Sequence, residues 1–272
     1  MRKILFLLIP LLLVACVGRP DDPWDPVLDP EEPEVPEDPE EAPETGSRFF
    51  QRTLALEFTG TWCQYCPNMA KALDQAKEER PGRFVEIAIH YADDMATTEG
   101  DAIVEQFKVS AYPTLIFDMN ESTRFNEQNP IRFTDYIDGI LARQEDACGI
   151  AVASEVKGGL VKVSVSMKAV SGGAYSLVAA LVEDDIRVNQ VGAGANYPCN
   201  AVLRSILSPG LKGQPTGALK EGESFTAYFS AKAPQEGAKM RVVAWVLRNG
   251  LAVNAATCDV DGKCDYAYEK DD

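Results

Sequence analysis

The sequence predicts two folded units behind a non-globular amino-terminal segment: an α/β unit over residues 48–147 and an all-β sandwich over residues 148–272. Three observations carry this expectation. Apolar spacings typical of strands and helices alternate from Arg52 to Leu141, the apolar period changes to two from Val161 onward, and Pro20 to Glu44 holds no pattern that could bury a core. A length of 272 residues suits one or two domains, at roughly 100–200 residues each. A hydrophobic fraction of 46% excludes wholesale disorder.

Charge narrows the partners. With 26 Lys+Arg against 42 Asp+Glu the net charge is -16, and no basic patch is present. Binding nucleic acid requires clustered Lys and Arg to neutralise phosphates, so a nucleic-acid partner is not expected. Twelve Asp or Glu and no Lys or Arg lie between Arg19 and Arg48, which concentrates three-quarters of the excess in one segment and leaves a mildly acidic body.

The amino terminus has the layout of a secretory signal: Met1-Arg2-Lys3, then an apolar run from Ile4 to Val14 broken only by Pro10. That run is shorter than the roughly 20 residues a spanning helix needs. Leu13-Val14-Ala15-Cys16 resembles the bacterial lipobox, which implies a signal peptide over 1–15 and a lipidated Cys16 as the first mature residue. Acyl chains there would anchor the chain to a membrane, each buried CH2 contributing about 0.8 kcal/mol. Residues 16–47 then form an acidic stalk, with eight prolines from Pro20 to Glu44 favouring an extended, semi-rigid chain. Its acidic residues read equally as an export signal for surface display or as a solvated spacer. Val17 is not the Asp of an inner-membrane retention signal, so an outer-membrane lipoprotein is expected, periplasm-facing or surface-exposed.

In the α/β unit, Arg52 to Phe58 reads as a buried strand. Asn68 to Glu79 reads as a helix carrying Met69, Ala72, Leu73 and Ala76, stopped by Pro81-Gly82. Phe84 to His90 is a second strand, Gly100 to Phe107 a short helix, and Thr114 to Phe117 a third strand directly after Pro113. A last helix is expected to begin near Thr134 and to bury Tyr136, Ile137, Ile140 and Leu141. This alternation implies a parallel βαβ unit followed by more sheet.

Between the first strand and first helix lies Thr61-Trp62-Cys63-Gln64-Tyr65-Cys66-Pro67. A zinc site needs four ligands, and no second CxxC or His pair is nearby, so no metal is expected, nor any cofactor. A redox pair fits better, because a CxxC at a helix N-terminus places its first sulfur beside unpaired backbone N–H groups that favour the thiolate. Cys63 would attack and Cys66 resolve. Pro67 cannot donate to the Cys63 carbonyl, which loosens or delays the first helical turn. His90 closes the second strand on the same sheet edge as the CxxC, where it could tune the site with Asp93 and Asp94 or serve structure alone.

These residues resemble the thioredoxin superfamily: Trp62-Cys63-Gln64-Tyr65-Cys66 is similar to its WCxxC site, and Tyr112-Pro113-Thr114 to its cis-proline loop. The resemblance implies catalytic roles for Cys63, Cys66, Pro113 and Trp62, an exposed aromatic at the domain edge being the other reading of Trp62. It also implies a buried proton acceptor at Glu57, six residues before Cys63; an ordinary solvent-facing strand acid is the other reading of Glu57. Gln64-Tyr65 replaces the Gly-Pro of thioredoxin itself, so reductant and oxidant both stay open.

In the second unit, Val161, Val163, Val165 and Met167 alternate with polar residues, and Ser176 to Val182, Ser224 to Ser230 and Met240 to Leu247 are further strands between Gly and Pro turns. About seven short strands suggest an immunoglobulin-like sandwich. Its four cysteines suggest disulfides in an exported protein, Cys258 with Cys264 across a turn and Cys148 with Cys199 by elimination, free thiols being the competing reading. Asp259-Val260-Asp261-Gly262 lacks the later ligands of a calcium loop and reads as a turn.

Taken together, these features resemble the outer membrane protein 28-related lipoproteins, with Asn196-Tyr197, Asn200 to Arg204, Val242 to Val246 and Val253 to Ala255 as the matching carboxy-terminal motifs. The expected function is a membrane-anchored thiol-disulfide oxidoreductase whose partners are protein thiols or disulfides in the cell envelope. The alternative is a non-catalytic surface lipoprotein that uses both domains to bind protein or glycan.

Overall fold

A computed structural model describes residues 48–142, 148–233 and 235–269. The expected signal peptide, Cys16 and the stalk lie outside the described residues. The α/β unit runs β1 (Thr53–Thr59), α1 (Cys66–Glu79), β2 (Phe84–His90), α2 (Thr98–Gln106), β3 (Thr114–Phe117), β4 (Arg124–Phe125) and α3 (Pro130–Ala142). β1 pairs with β2 in parallel, Thr53 opposite Phe84 and Thr59 opposite His90, and with β3 antiparallel. This parallel pairing brings the carboxyl ends of β1 and β2 to one edge, which is where the CxxC emerges.

All three helices start earlier than the sequence reading, α2 at Thr98 rather than Gly100. α1 begins at Cys66 rather than after Pro67, and α3 begins at Pro130 rather than near Thr134. In α1 and α3, a proline sits in the first turn, where its missing N–H costs no bond to a carbonyl inside the helix. α3 buries Phe133, Thr134, Ile137 and Ile140; the expected Tyr136 and Leu141 are only half-buried.

The second unit supplies β5 (Gly149–Lys157), β6 (Leu160–Lys168), β7 (Gly173–Asp184), β8 (Ile186–Gln190), β9 (Gly194–Cys199), β10 (Val202–Ile206), β11 (Gln214–Leu219), β12 (Ser224–Lys232), β13 (Lys239–Arg248), β14 (Leu251–Asp259) and β15 (Lys263–Cys264). It is a two-sheet β-sandwich. One sheet has the order β12-β6-β5-β15. The other continues into the α/β unit as a single nine-stranded sheet, β14-β13-β7-β10-β2-β1-β3-β4, with β11 also on β7. The join is β10 lying parallel to β2, Val202 opposite Ala88, with the Ala88 N–H donating to the Ala201 carbonyl at 2.7 Å.

That continuity explains why β7 and β13 carry unbroken apolar runs at their centres, residues 177–182 and 242–247. Leu177, Ala179, Leu181, Val242, Ala244 and Val246 face the four-stranded sheet and pack on Val161, Val163 and Val165. Alternate residues Val178, Ala180, Val182, Val243 and Trp245 face the other way, into the core that holds Leu54, Leu56, Phe58, Ile87 and Ile103. A strand covered on both faces has no polar face to show. Each fully buried Leu, Ile or Val contributes about 1.5–3 kcal/mol. α1 and α3 cover the opposite side of β1 and β3, where Met69, Leu73, Leu115, Phe117 and Phe133 form a third core.

Candidate redox site

The site grows from the end of β1. At Gly60 a Cβ would lie 2.7 Å from the Trp62 ring, so only glycine lets the indole fold back there. Trp62 donates its Nε1–H to the Tyr91 carbonyl at 2.8 Å and stays 44% exposed. Its ring meets Tyr112 edge-on at 5.2 Å, and Tyr112 stacks on Tyr91 at 5.6 Å. The Tyr112-Pro113 peptide is cis, and the following turn is held by Asn126, whose Nδ2 donates to the Pro113 carbonyl at 3.1 Å.

Cys63 and Cys66 form a disulfide with Cα atoms 5.5 Å apart, and each is at most 4% exposed. Behind Cys66 lies a cavity of about 390 Å³ lined by Glu57, Cys66, Lys77, Glu86, His90 and Cys199, among others. Glu57 is 4% exposed, which removes the solvent-facing reading, and its Oε1 has no hydrogen-bond partner. Burial, then the charge of Glu86, which also shares a hydrogen bond with it, push the Glu57 carboxyl well above the usual range. Lys77 reaches from α1 to Glu86 in a short ion pair. Burial works against the Lys77 ammonium, but the carboxylates of Glu86 and Asp74 hold its pKa above the ordinary value.

His90, buried on the same edge, has its Nδ1 2.8 Å from Asp93 Oδ2. Asp93 also accepts from the backbone N–H groups of Thr61 at 2.8 Å and Met95 at 2.9 Å. Although burial opposes it, these partners keep the Asp93 carboxyl below its usual range. His90 and Asp93 therefore tie the β2 end to the CxxC loop. Among the described residues, no group of three or more His, Cys, Asp or Glu is arranged to hold a metal ion.

The sequence reading missed the residue that touches the CxxC from the second unit. The β8-β9 hairpin leans onto the loop, and Gln190, 3% exposed, directs Nε2 to the carbonyls of Gly60 at 3.1 Å and Cys63 at 3.0 Å. A lone polar residue 127 positions from Cys63 carries no local signal that would have revealed it.

The four later cysteines correct an expectation. Cys148, Cys199, Cys258 and Cys264 are free thiols, and neither Cys258–Cys264 nor Cys148–Cys199 is bonded. Cys148 belongs to the sandwich core, whereas Cys199 packs with Met95 and Val202 beside the redox cavity, so the two serve different cores. Cys258 Sγ points to the Gly262 carbonyl and Cys264 Sγ to that of Asp265, each at 3.7 Å.

Residues 100–261 match the family described as outer membrane protein Omp28. The chain belongs to the Omp28 family. Residues 48–138 match thioredoxin, in agreement with the α/β fold and the CxxC geometry of this Omp28-family chain. Its fold resembles that of HBP35 of Porphyromonas gingivalis, at 21% identity over 78% of this chain and 76% of that one, with a TM-score of 0.66. It also resembles a protein from Agrobacterium tumefaciens at 15% identity, over 77% of this chain and 94% of that one, with a TM-score of 0.54. No curated protein matches it. Family and site together support a thioredoxin-like redox role, and the family indicates an association with the outer membrane. Among the described residues, no helix is long and apolar enough to cross a membrane.

Proposed function

We propose that this Omp28-family chain is a lipid-anchored thiol-disulfide oxidoreductase acting on exported proteins. The observation that carries the reading is the Cys63–Cys66 disulfide with a buried carboxyl, Glu57, sharing the cavity behind Cys66. In the oxidising direction a substrate thiolate attacks Cys63 Sγ, the Cys63–Cys66 bond breaks, and the Cys66 thiolate takes a proton from Glu57. The second substrate thiolate then attacks the substrate sulfur of the mixed disulfide and releases Cys63 as thiolate. The substrate loses two electrons and the CxxC gains two; reduction runs the same steps backwards. Trp62 and Pro113 flank the approach to Cys63. Residues 48–147 form the exchange unit, residues 148–272 complete its sheet and its loop, and Cys16 tethers both to the outer membrane by its acyl chains.

The test equilibrates the full-length protein in graded glutathione buffers, quenches with acid, alkylates, and maps each cysteine by mass spectrometry. Interconversion of Cys63 and Cys66 between about -270 and -120 mV is expected. A pair locked below about -300 mV would be a structural disulfide, and the chain would then be a binding lipoprotein.

A further inference from the structure

The second unit does more than pack against the redox domain; it enters the CxxC loop. A helix beginning at the CxxC would let the Cys63 carbonyl take the N–H four residues on, but that residue is Pro67 and has none, and α1 begins only at Cys66. The Gln190 side-chain amide stands at that carbonyl instead, at 3.0 Å, and also reaches Gly60, whose carbonyl accepts the Cys63 N–H at 3.0 Å. The amide thus holds the Cys63 carbonyl directly and reaches its N–H through the shared Gly60 carbonyl.

Two further contacts show that the hairpin tip is shaped for this approach. The Val191 N–H donates to the Thr61 carbonyl at 2.8 Å. Gly192, at φ +87°, lies so close to the loop that a Cβ would be 2.3 Å from the Gln64 carbonyl oxygen. Glycine is required there for its conformation and for its lack of a side chain. Strand, amide and glycine together grip residues 60–64 from outside the thioredoxin-like unit.

We propose that Gln190 is a positioning residue of the redox pair, its amide replacing the donor that Pro67 cannot supply. The assignment rests on the thiol-disulfide reading above. By fixing the Cys63 carbonyl, Gln190 keeps Cys63 Sγ within reach of Cys66 Sγ after reduction, so each thiol meets the other at high effective concentration. Loss of the tether leaves the disulfide less favoured relative to the dithiol.

The test compares the glutathione equilibrium of the full-length parent with Gln190→Met, which keeps the side-chain volume without a donor, and with Gln190→Ala. In both, the constant for disulfide formation is expected to fall about tenfold, which moves the potential about 30 mV less negative. Restoring a backbone N–H in the double variant Pro67→Ala/Gln190→Met should bring it back toward that of Pro67→Ala alone. A hairpin that merely docks would lower the urea midpoint of the oxidised form and leave the constant where it was. Parent-like constants in both single variants, or a double variant no nearer its reference than Gln190→Met, would overturn the assignment while leaving the redox reading intact. A parent pair that never cycles overturns both, and is seen before any variant is compared.

Discussion

Replacing Glu57 by Gln tests the proton inventory behind Cys66. The pKa of Glu57 lies well above its ordinary value of 4.5, first because the group is buried and then because Glu86 is beside it. Below pH 4.5 the carboxyl is protonated in the folded and unfolded chain alike, and it adds no pH dependence. Above that value the unfolded chain releases the proton while the folded chain retains it. Stability is therefore lost as pH rises, at about 1.4 kcal/mol per pH unit, until the folded-state pKa is reached. E57Q has no such proton, so its stability relative to the parent should climb with that slope across the same window. The assay is urea unfolding of the disulfide-bonded protein at about half-unit steps from pH 5 to 8, taking the difference between the two curves. Part of that shift comes from the charge of Glu86 beside it. Comparing E86Q with E57Q/E86Q should give a narrower window, because Glu57 then loses its anionic neighbour. Parallel curves for the parent and E57Q would refute a protonated, buried Glu57, and with it the proton donor for Cys66.

Two other outcomes follow from the packing. Asn254→Ala should lower the unfolding free energy by about 3 kcal/mol, because this buried side chain accepts from Arg52 and Ala255 and donates to Phe50 and Cys148, leaving buried partners unsatisfied when removed. A loss under about 1 kcal/mol in urea titration would show that these contacts are replaceable. In native protein at about pH 8, iodoacetamide should label Cys264 well before Cys148, Cys199 and Cys258. Burial pushes the Cys148 and Cys258 thiols up to about 12 and that of Cys199 up to about 11. Labelling of Cys199 as fast as Cys264, followed by mass spectrometry, would contradict that ordering.

Much of the α/β unit was legible because its signals are local. Phe84–His90 and Thr114–Phe117 are strands over the expected residues, each a short apolar run between turn residues. The CxxC could be read from residue type and spacing, and the cis-proline and the buried acid from the resemblance to thioredoxins. What escaped was long-range. Nothing within reach of Val202 in the sequence says that it will lie beside Ala88, and nothing near Gln190 points to Cys63. Cysteine parity misled for a related reason. An even count says nothing about which core each thiol enters, and Cys148 and Cys199 entered different ones.

The parallel seam between β2 and β10 also sets an order of assembly. A chain that emerges amino-terminus first completes Phe84–His90 long before Val202–Ile206 exists. Until then β2 presents an unpaired edge to any extended neighbour, the kind of edge that templates aggregation. The strand that covers this edge is more than a hundred residues downstream. A fragment that stops after α3 would carry the CxxC and still lack both the strand that closes its sheet and the amide that holds its loop.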